Sequence, residues 1–129
     1  MDLMTQIYDE HVLLDTAQKD PSLPVTIVDH PLVRDLLRVM RDQQSSLVAF
    51  RRCVHALSYH LIFAATADLR ESQQQVSTPL AQIKASKMSD AVVLIPVLRS
   101  GIGMHEPAQN IFPAAPTIFA GMARDEATA

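Results

Sequence analysis

The chain has 129 residues, 48% hydrophobic and 19% charged, with a formal net charge of −3. That suffices for one modest domain with a core and not for two, and the interspersed charges without a long basic run argue against a nucleic-acid footprint or a polybasic membrane patch. A single cysteine, Cys53, leaves no internal disulfide and fits a reducing compartment; with no secretion signal at the start and no apolar run near the roughly 20 residues of a membrane helix, the expected location is the cytoplasm.

Residues 1–23 are polar, with a weak apolar cluster at Val12, Leu13 and Leu14, and read as an N-terminal arm ahead of a domain at 24–129. Val25-Thr-Ile-Val28 is a short β-branched run, which predicts a strand. Asp29-His30-Pro31 opens a helix, because proline at the first helical position gives up only an N–H that would be unpaired anyway. Leu32, Val33, Leu36, Leu37, Val39 and Met40 then fall on one helical face. Ser45 or Ser46 caps a second helix running to about Thr66. Its apolar positions, from Leu47 through Phe50, Val54 and Leu57 to Leu61, are widened by Val48, Ile62 and Phe63, which predicts burial on more than one side. Residues 67–90 are polar and carry few order signals; Gln73 to Leu80 reads as an extended arm.

Ala91-Val-Val-Leu-Ile-Pro-Val-Leu98 is the strongest strand pattern. An apolar run without alternation predicts a strand covered on both faces, as in a parallel sheet, with Pro96 near its end. A short helix follows from about Ile102 to Asn110, with Pro107 in its first turns. Phe112 to Pro116 is a turn, and Thr117 to Met122 a second core strand. This order predicts an α/β fold with a parallel sheet, but two or three parallel strands rarely make a stable sheet alone. The pattern reads as a domain interrupted partway.

Ligands of open α/β sheets bind at the carboxyl ends of the strands. Here that end is Arg99-Ser100-Gly101-Ile102-Gly103. The two glycines allow close backbone approach to a ligand, successive N–H groups at a helix start can cradle an anion, and Arg99 can fork two phosphate oxygens. Arg124 stands at the corresponding end of the next strand, so the pair could clamp a diphosphate. The plain alternative is that Gly-x-Gly is a common turn and that either arginine pairs with a carboxylate. A dinucleotide fingerprint is disfavoured, because Glu106 occupies the third glycine position.

From Val25 to Glu126 the sequence resembles uracil phosphoribosyltransferases. The resemblance is carried by Val25-Thr-Ile-Val-Asp-His-Pro-Leu-Val33, Met40-Arg-Asp42, Phe50-Arg51, Ala65-Thr-Ala-Asp-Leu69, Thr78-Pro-Leu80, Ile95-Pro-Val-Leu-Arg-Ser-Gly-Ile-Gly-Met104 and Gly121-Met-Ala-Arg-Asp-Glu126. It implies an incomplete Rossmann-like phosphoribosyltransferase fold, N-terminal helices plus part of a parallel sheet. It also implies transfer of ribose 5-phosphate from phosphoribosyl diphosphate to uracil, giving UMP and pyrophosphate, with Mg2+ carried by the donor. Arg99 and Arg124 match the family arginines on the donor's phosphates; Ser100, Gly101 and Gly103 complete that candidate binding set, with no catalytic residue and no protein metal ligand assigned.

Four departures qualify the match. Glu106-Pro107 stands where the family has Asp then Gly, Ala123 where it has tyrosine, and Phe63-Ala64 where it has Tyr-Glu. The family's donor loop, acidic residues followed by Ala-Thr-Gly-Gly-Ser, has no counterpart, nor does the uracil-binding segment; Asp125-Glu126-Ala127-Thr128 is a superficial look-alike without the glycine pair. The expectation is a truncated family member, inactive alone because the 5-phosphate cradle and base pocket are missing. The competing readings are a non-catalytic dimerisation or interaction protein derived from this fold, and a generic phosphate module resting on the two arginines.

The remaining polar residues have plain readings. His55 and His60 are five apart, roughly 140° around a helix, and no histidine spacing resembles a zinc site. His30 is expected at a helix start and His105 facing solvent or in a loop. Cys53, Met104 and Met122 are expected as core filler, and Arg51 and Arg52 as a solvated face. An exposed apolar helix face suggests a homo-oligomer; no nucleic-acid or membrane partner is expected.

Overall fold

The computed structural model describes residues 25–122. The proposed arm at 1–23 and Arg124 therefore lie outside the described residues. Helix α1 spans Pro31–Arg41 and α2 Leu47–Ala65; β1 (Glu71–Ser77) and β2 (Gln82–Met88) follow, then β3 (Val97–Leu98), α3 (Ile102–Ile111) and β4 (Ala120–Gly121). Two two-stranded sheets result, β1–β2 antiparallel and β3–β4 parallel.

The helix starts follow their local chemistry. His30 caps α1, its Nδ1 accepting from the Leu32 N–H at 3.2 Å, with Pro31 in the first turn. Arg38 and Arg41 lie in the last turn, where the helix dipole favours cations. Ser46 caps α2 by accepting from the Ala49 N–H at 3.2 Å, while Ser45 donates instead to the Val39 carbonyl at 2.6 Å. The rings of His30 and His60 stack with centroids 5.9 Å apart, which ties the start of α1 to α2.

Four expectations are corrected here. Residues 25–30 form no strand, because no described segment pairs with them. Helix α2 is buried along one stripe only, at Cys53, Leu57 and Ser58, while Leu47, Val48, Phe50, Leu61 and Phe63 are exposed. Residues 67–90 are ordered as a hairpin. Its turn, Thr78 to Ala81, is closed by the Thr78 N–H donating to the Ala81 carbonyl at 2.9 Å, with Pro79 at the position its fixed φ suits. Gln73 donates to Ser86 at 3.1 Å and Gln75 to Gln82 at 3.2 Å across the ladder. Polar side chains on both faces hide the two-residue period from a hydrophobicity reading. At its base the Arg70 side chain and N–H both donate to the Asp90 carboxylate, at 2.7 and 2.8 Å. Finally, 91–98 is covered on one face only. Val92, Leu94, Pro96 and Leu98 are half-buried, and the residues between them are exposed.

The parallel ladder joins Leu94 to Thr117, Val97 to Ala120 and Leu98 to Gly121. With α3 between its strands this is a β-α-β unit. Helix α2 packs against both α1 and α3. Among the described residues Val33, Cys53, Leu57, Ser58 and Pro107 are buried; the Ser58 hydroxyl satisfies itself on the Val54 carbonyl at 2.7 Å. Cys53 is a buried free thiol in the core, as expected. Met104 and Met122 are exposed rather than core filler. No helix of the described residues is long and apolar enough to cross a membrane.

Candidate functional site: the loop between β3 and α3

The loop begins at the carboxyl end of β3 with Arg99, after a cis Leu98–Arg99 peptide bond. It turns back at once: the Gly101 N–H donates to the Val97 carbonyl at 2.8 Å. Gly101 has ordinary right-handed φ and ψ (−61° and −15°), so conformation alone does not require glycine there. Space does. A Cβ at Gly101 would lie 2.6 Å from the Val97 carbonyl oxygen, 2.7 Å from the Val97 nitrogen and 3.3 Å from the Pro96 carbonyl carbon. Gly103 has a different task, since its Cβ would lie 3.3 Å from Val54 Cγ1; it lets α3 approach α2. The close approach that these two glycines permit is made by the protein's own atoms.

The loop's N–H groups are largely engaged. Those of Gly101, Ile102, Gly103 and Met104 donate to the carbonyls of Val97, Arg99, Ser100 and Gly101, at 2.8 to 3.3 Å. The N–H groups of Arg99 and Ser100 have no acceptor among the described residues, so the part of the loop open to an anion is Arg99-Ser100, ahead of the helix rather than within its first turn. The side chains of both residues are exposed. No described carboxylate pairs with Arg99, in contrast to Arg34 with Asp29, Arg38 with Asp35 and Arg70 with Asp90. Among the described residues nothing engages the five donors of the Arg99 guanidinium. Below the loop lies a largely apolar cavity of about 200 Å³, lined by Ile62, Val93, Leu94, Ile95, Met104 and His105 among others.

Leu98 pairs with Gly121, so the tips of β3 and β4 end side by side. Arg124, beyond β4, lies outside the described residues, and the pair of arginines is therefore not placed. The helix behind the loop is pinned to the segment leading into β4 by His105, expected from the sequence to face solvent or lie in a loop. His105 is half-buried on α3, its Nε2 3.1 Å from the Thr117 Oγ1 and its ring centroid 5.4 Å from that of Phe119. It looks solvent-facing by composition because its partners lie 12 and 14 residues away, beyond any local pattern. Pro107 is buried at the sixth position of an α3 that continues to Ile111, so the Glu106-Pro107 departure leaves the helix intact. Among the described residues no group of three or more His, Cys, Asp or Glu side chains could hold a metal ion.

The profile of the uracil phosphoribosyltransferase family matches residues 27–129. The chain belongs to that family. It is 40% identical over 106 residues to the uracil phosphoribosyltransferase of Corynebacterium diphtheriae and 37% identical over 105 residues to that of Campylobacter curvus, covering 82% and 81% of this chain. In both cases it spans about half the length of the relative (50%), the N-terminal half. The solved structure of the AQ2163 protein from Aquifex aeolicus superposes with a TM-score of 0.71 at 25% identity, over 81% of this chain and 51% of that one. The helices and the β3–α3–β4 unit are thus part of the α/β phosphoribosyltransferase fold, and the loop at Arg99 sits within the segment matched to the uracil phosphoribosyltransferases.

Proposed function

We propose that this chain carries the diphosphate-holding part of a uracil phosphoribosyltransferase of pyrimidine salvage. In this reading Arg99, Ser100, Gly101, Gly103 and Arg124 serve the diphosphate of phosphoribosyl diphosphate, and uracil is the acceptor. The observation that carries it is the exposed Arg99, without a carboxylate partner among the described residues, at the carboxyl end of a parallel strand, where α/β folds bind ligands. Gly101 and Gly103 act indirectly, one by letting the loop fold back on Val97 and the other by seating α3 against Val54. Arg99 would fork two oxygens of the diphosphate and hold it in line as charge develops on it. Charge-assisted bonds of that kind hold best where water is excluded, and at a loop this open they supply binding more than rate.

The described residues do not form a protein cage for magnesium, and the loop from Arg99 to Gly103 offers no carboxylate. The ion is proposed only as a companion of the donor's phosphates, and no step depends on it. No stretch of residues 1–129 resembles the 5-phosphate loop or the uracil-binding segment, so we expect a polypeptide of these residues to bind diphosphate without forming UMP.

Two measurements test this. Calorimetric titration of pyrophosphate should show binding that Arg99→Ala weakens roughly tenfold or more, the loss of a charge-assisted fork; equal affinity of both proteins removes the assignment. UMP formation by the purified 129-residue polypeptide above a mock preparation would disprove its inactivity alone. A second reading, a non-catalytic dimerisation protein, is favoured by one feature: the hairpin ends in Leu80, 98% exposed. Light scattering of Leu80→Asp against the parent tests it, since only an association through the hairpin tip would be lost. A cytoplasmic location is in keeping with the free thiol of Cys53.

A further inference from the structure

Helix α3 is weakly held where it meets the Arg99 loop. The N–H groups of Ile102, Gly103 and Met104 donate three residues back, to the carbonyls of Arg99, Ser100 and Gly101, at 3.2 to 3.3 Å. Bonds of that reach close a tighter turn than the α-helix, with poorer geometry. Pro107 has no N–H, so the helical bond it would otherwise give to the Gly103 carbonyl is missing. Glycines on both sides of Ile102 lower the helix propensity of the same turn. The contact of Gly103 with Val54 sets the distance to α2, but a dispersion contact fixes no direction.

Among the described residues, α3 makes two side-chain hydrogen bonds to the rest of the protein. One runs from Asn110 to the Tyr59 hydroxyl at 3.1 Å, at the far end of the helix, and goes to α2. The other joins His105 Nε2 to Thr117 Oγ1 at 3.1 Å and ties α3 to the parallel ladder. His105 lies between the three long bonds and Pro107, where the helix is weakest. Its anchor is firm: the Leu94 N–H donates to the Pro116 carbonyl and the Ile118 N–H to the Leu94 carbonyl, both at 2.9 Å, one on each side of Thr117. Phe119, its ring centroid 5.4 Å away, fixes the orientation of the imidazole. The Thr117 hydroxyl both donates and accepts, so either ring tautomer completes the bond.

We propose that His105 is a positioning residue for the Arg99 loop: by tying the first turns of α3 to Thr117, it sets where the backbone of Arg99 and Ser100 stands for a diphosphate. The path is short. Ile102 and Gly103 give their N–H groups to the carbonyls of Arg99 and Ser100, so a shift of α3 passes directly to the two residues that open the loop. The consequence for binding rests on the diphosphate reading of Arg99, whereas the placement of the loop is measurable without a ligand.

The test uses the 129-residue chain carrying Thr117→Val, His105→Leu or both. Valine keeps the shape of threonine and its preference for strand, leucine suits a helix, and circular dichroism checks that both variants fold as the parent does. Protection of the Gly101–Met104 amides, taken relative to the intrinsic exchange rate, should fall roughly threefold to tenfold in each single variant, the factor of one net hydrogen bond. The double variant should lose no more than either single, because both remove the same bond. Thr117→Ser keeps the hydroxyl and should keep parental protection, and Ser46→Ala, which weakens α2 elsewhere, should leave these amides unchanged. In calorimetric titration of pyrophosphate, Thr117→Val should bind about threefold more weakly as the competent fraction of the loop falls, a smaller loss than in Arg99→Ala, and Thr117→Ser should bind like the parent. Unchanged loop protection in the single variants, losses that add in the double, or an equal loss over the Glu71–Ser77 amides overturns the proposal. So does parental pyrophosphate affinity in Thr117→Val while Arg99→Ala binds weakly. If Arg99→Ala instead binds pyrophosphate as the parent does, the diphosphate assignment fails and the loop amides still decide the role of His105.

Discussion

Replacing Gly101 with alanine adds one methyl group where the loop crosses its own strand. The added Cβ would meet the Val97 carbonyl oxygen at 2.6 Å and the Val97 nitrogen at 2.7 Å. Both are backbone atoms, so no rotamer change relieves the clash. Either the chain end of β3 shifts or the bond from the Gly101 N–H to the Val97 carbonyl, 2.8 Å long, opens. Overpacking of this kind costs about 1–3 kcal/mol, and where the hydrogen bond opens about 0.5–1.5 kcal/mol more, so a cost of about 1–4.5 kcal/mol is expected. Backbone φ and ψ at Gly101 suit alanine, and alanine favours a helix start over glycine by at most about 1 kcal/mol; the steric term wins. Two other glycines serve as controls. Gly121 has nothing within 4 Å of its would-be Cβ, so Gly121→Ala should stay within about 0.5 kcal/mol of the parent. Gly103→Ala meets only the end of the Val54 side chain and should fall between. Urea denaturation followed by circular dichroism gives all three values. If Gly101→Ala is as stable as Gly121→Ala, the loop does not fold back on Val97 as described.

The Arg70 clamp at the hairpin base makes a pH prediction. The side-chain hydrogen bond from Arg70, and then its backbone N–H, hold the Asp90 carboxyl below its usual range. A lowered folded-state value means stability that is complete above the ordinary carboxylate range and lost as pH falls through the folded value, below about pH 4. Protection of the Glu71–Ser77 amides, taken relative to the intrinsic exchange rate at each pH, should therefore fall in acid, and Asp90→Asn should lower it at neutral pH and flatten the dependence. Leu57→Ala, in the small buried stripe of α2, should cost about 2–3 kcal/mol in urea denaturation, the low end for a core leucine because many neighbours are already exposed. Ser46→Ala removes the α2 cap and should cost about 1 kcal/mol in the same assay.

Local chemistry was enough to determine α1, α2 and α3. His30-Pro31 and Ser46 act through atoms within three residues, so their pattern is visible in the chain itself. Family membership was legible too, because Asp29-His-Pro-Leu-Val33 and Pro96-Val-Leu-Arg-Ser-Gly-Ile-Gly103 keep their order and residue types. The position of Arg99 at a strand end followed from the apolar run before it. Tertiary structure alone decided the rest. The hairpin depends on backbone pairing between residues up to 17 apart, from Glu71 to Met88, and its polar faces give no periodic signal. The task of Gly101 is set by where Val97 stands after the turn, and that of Gly103 by α2. His105 finds Thr117 only once α3 lies on the sheet. Whether the branched residues of 91–98 are covered was equally beyond reach of the sequence: a strand's composition records the neighbours it is built to have, and only the folded arrangement shows which of them are present.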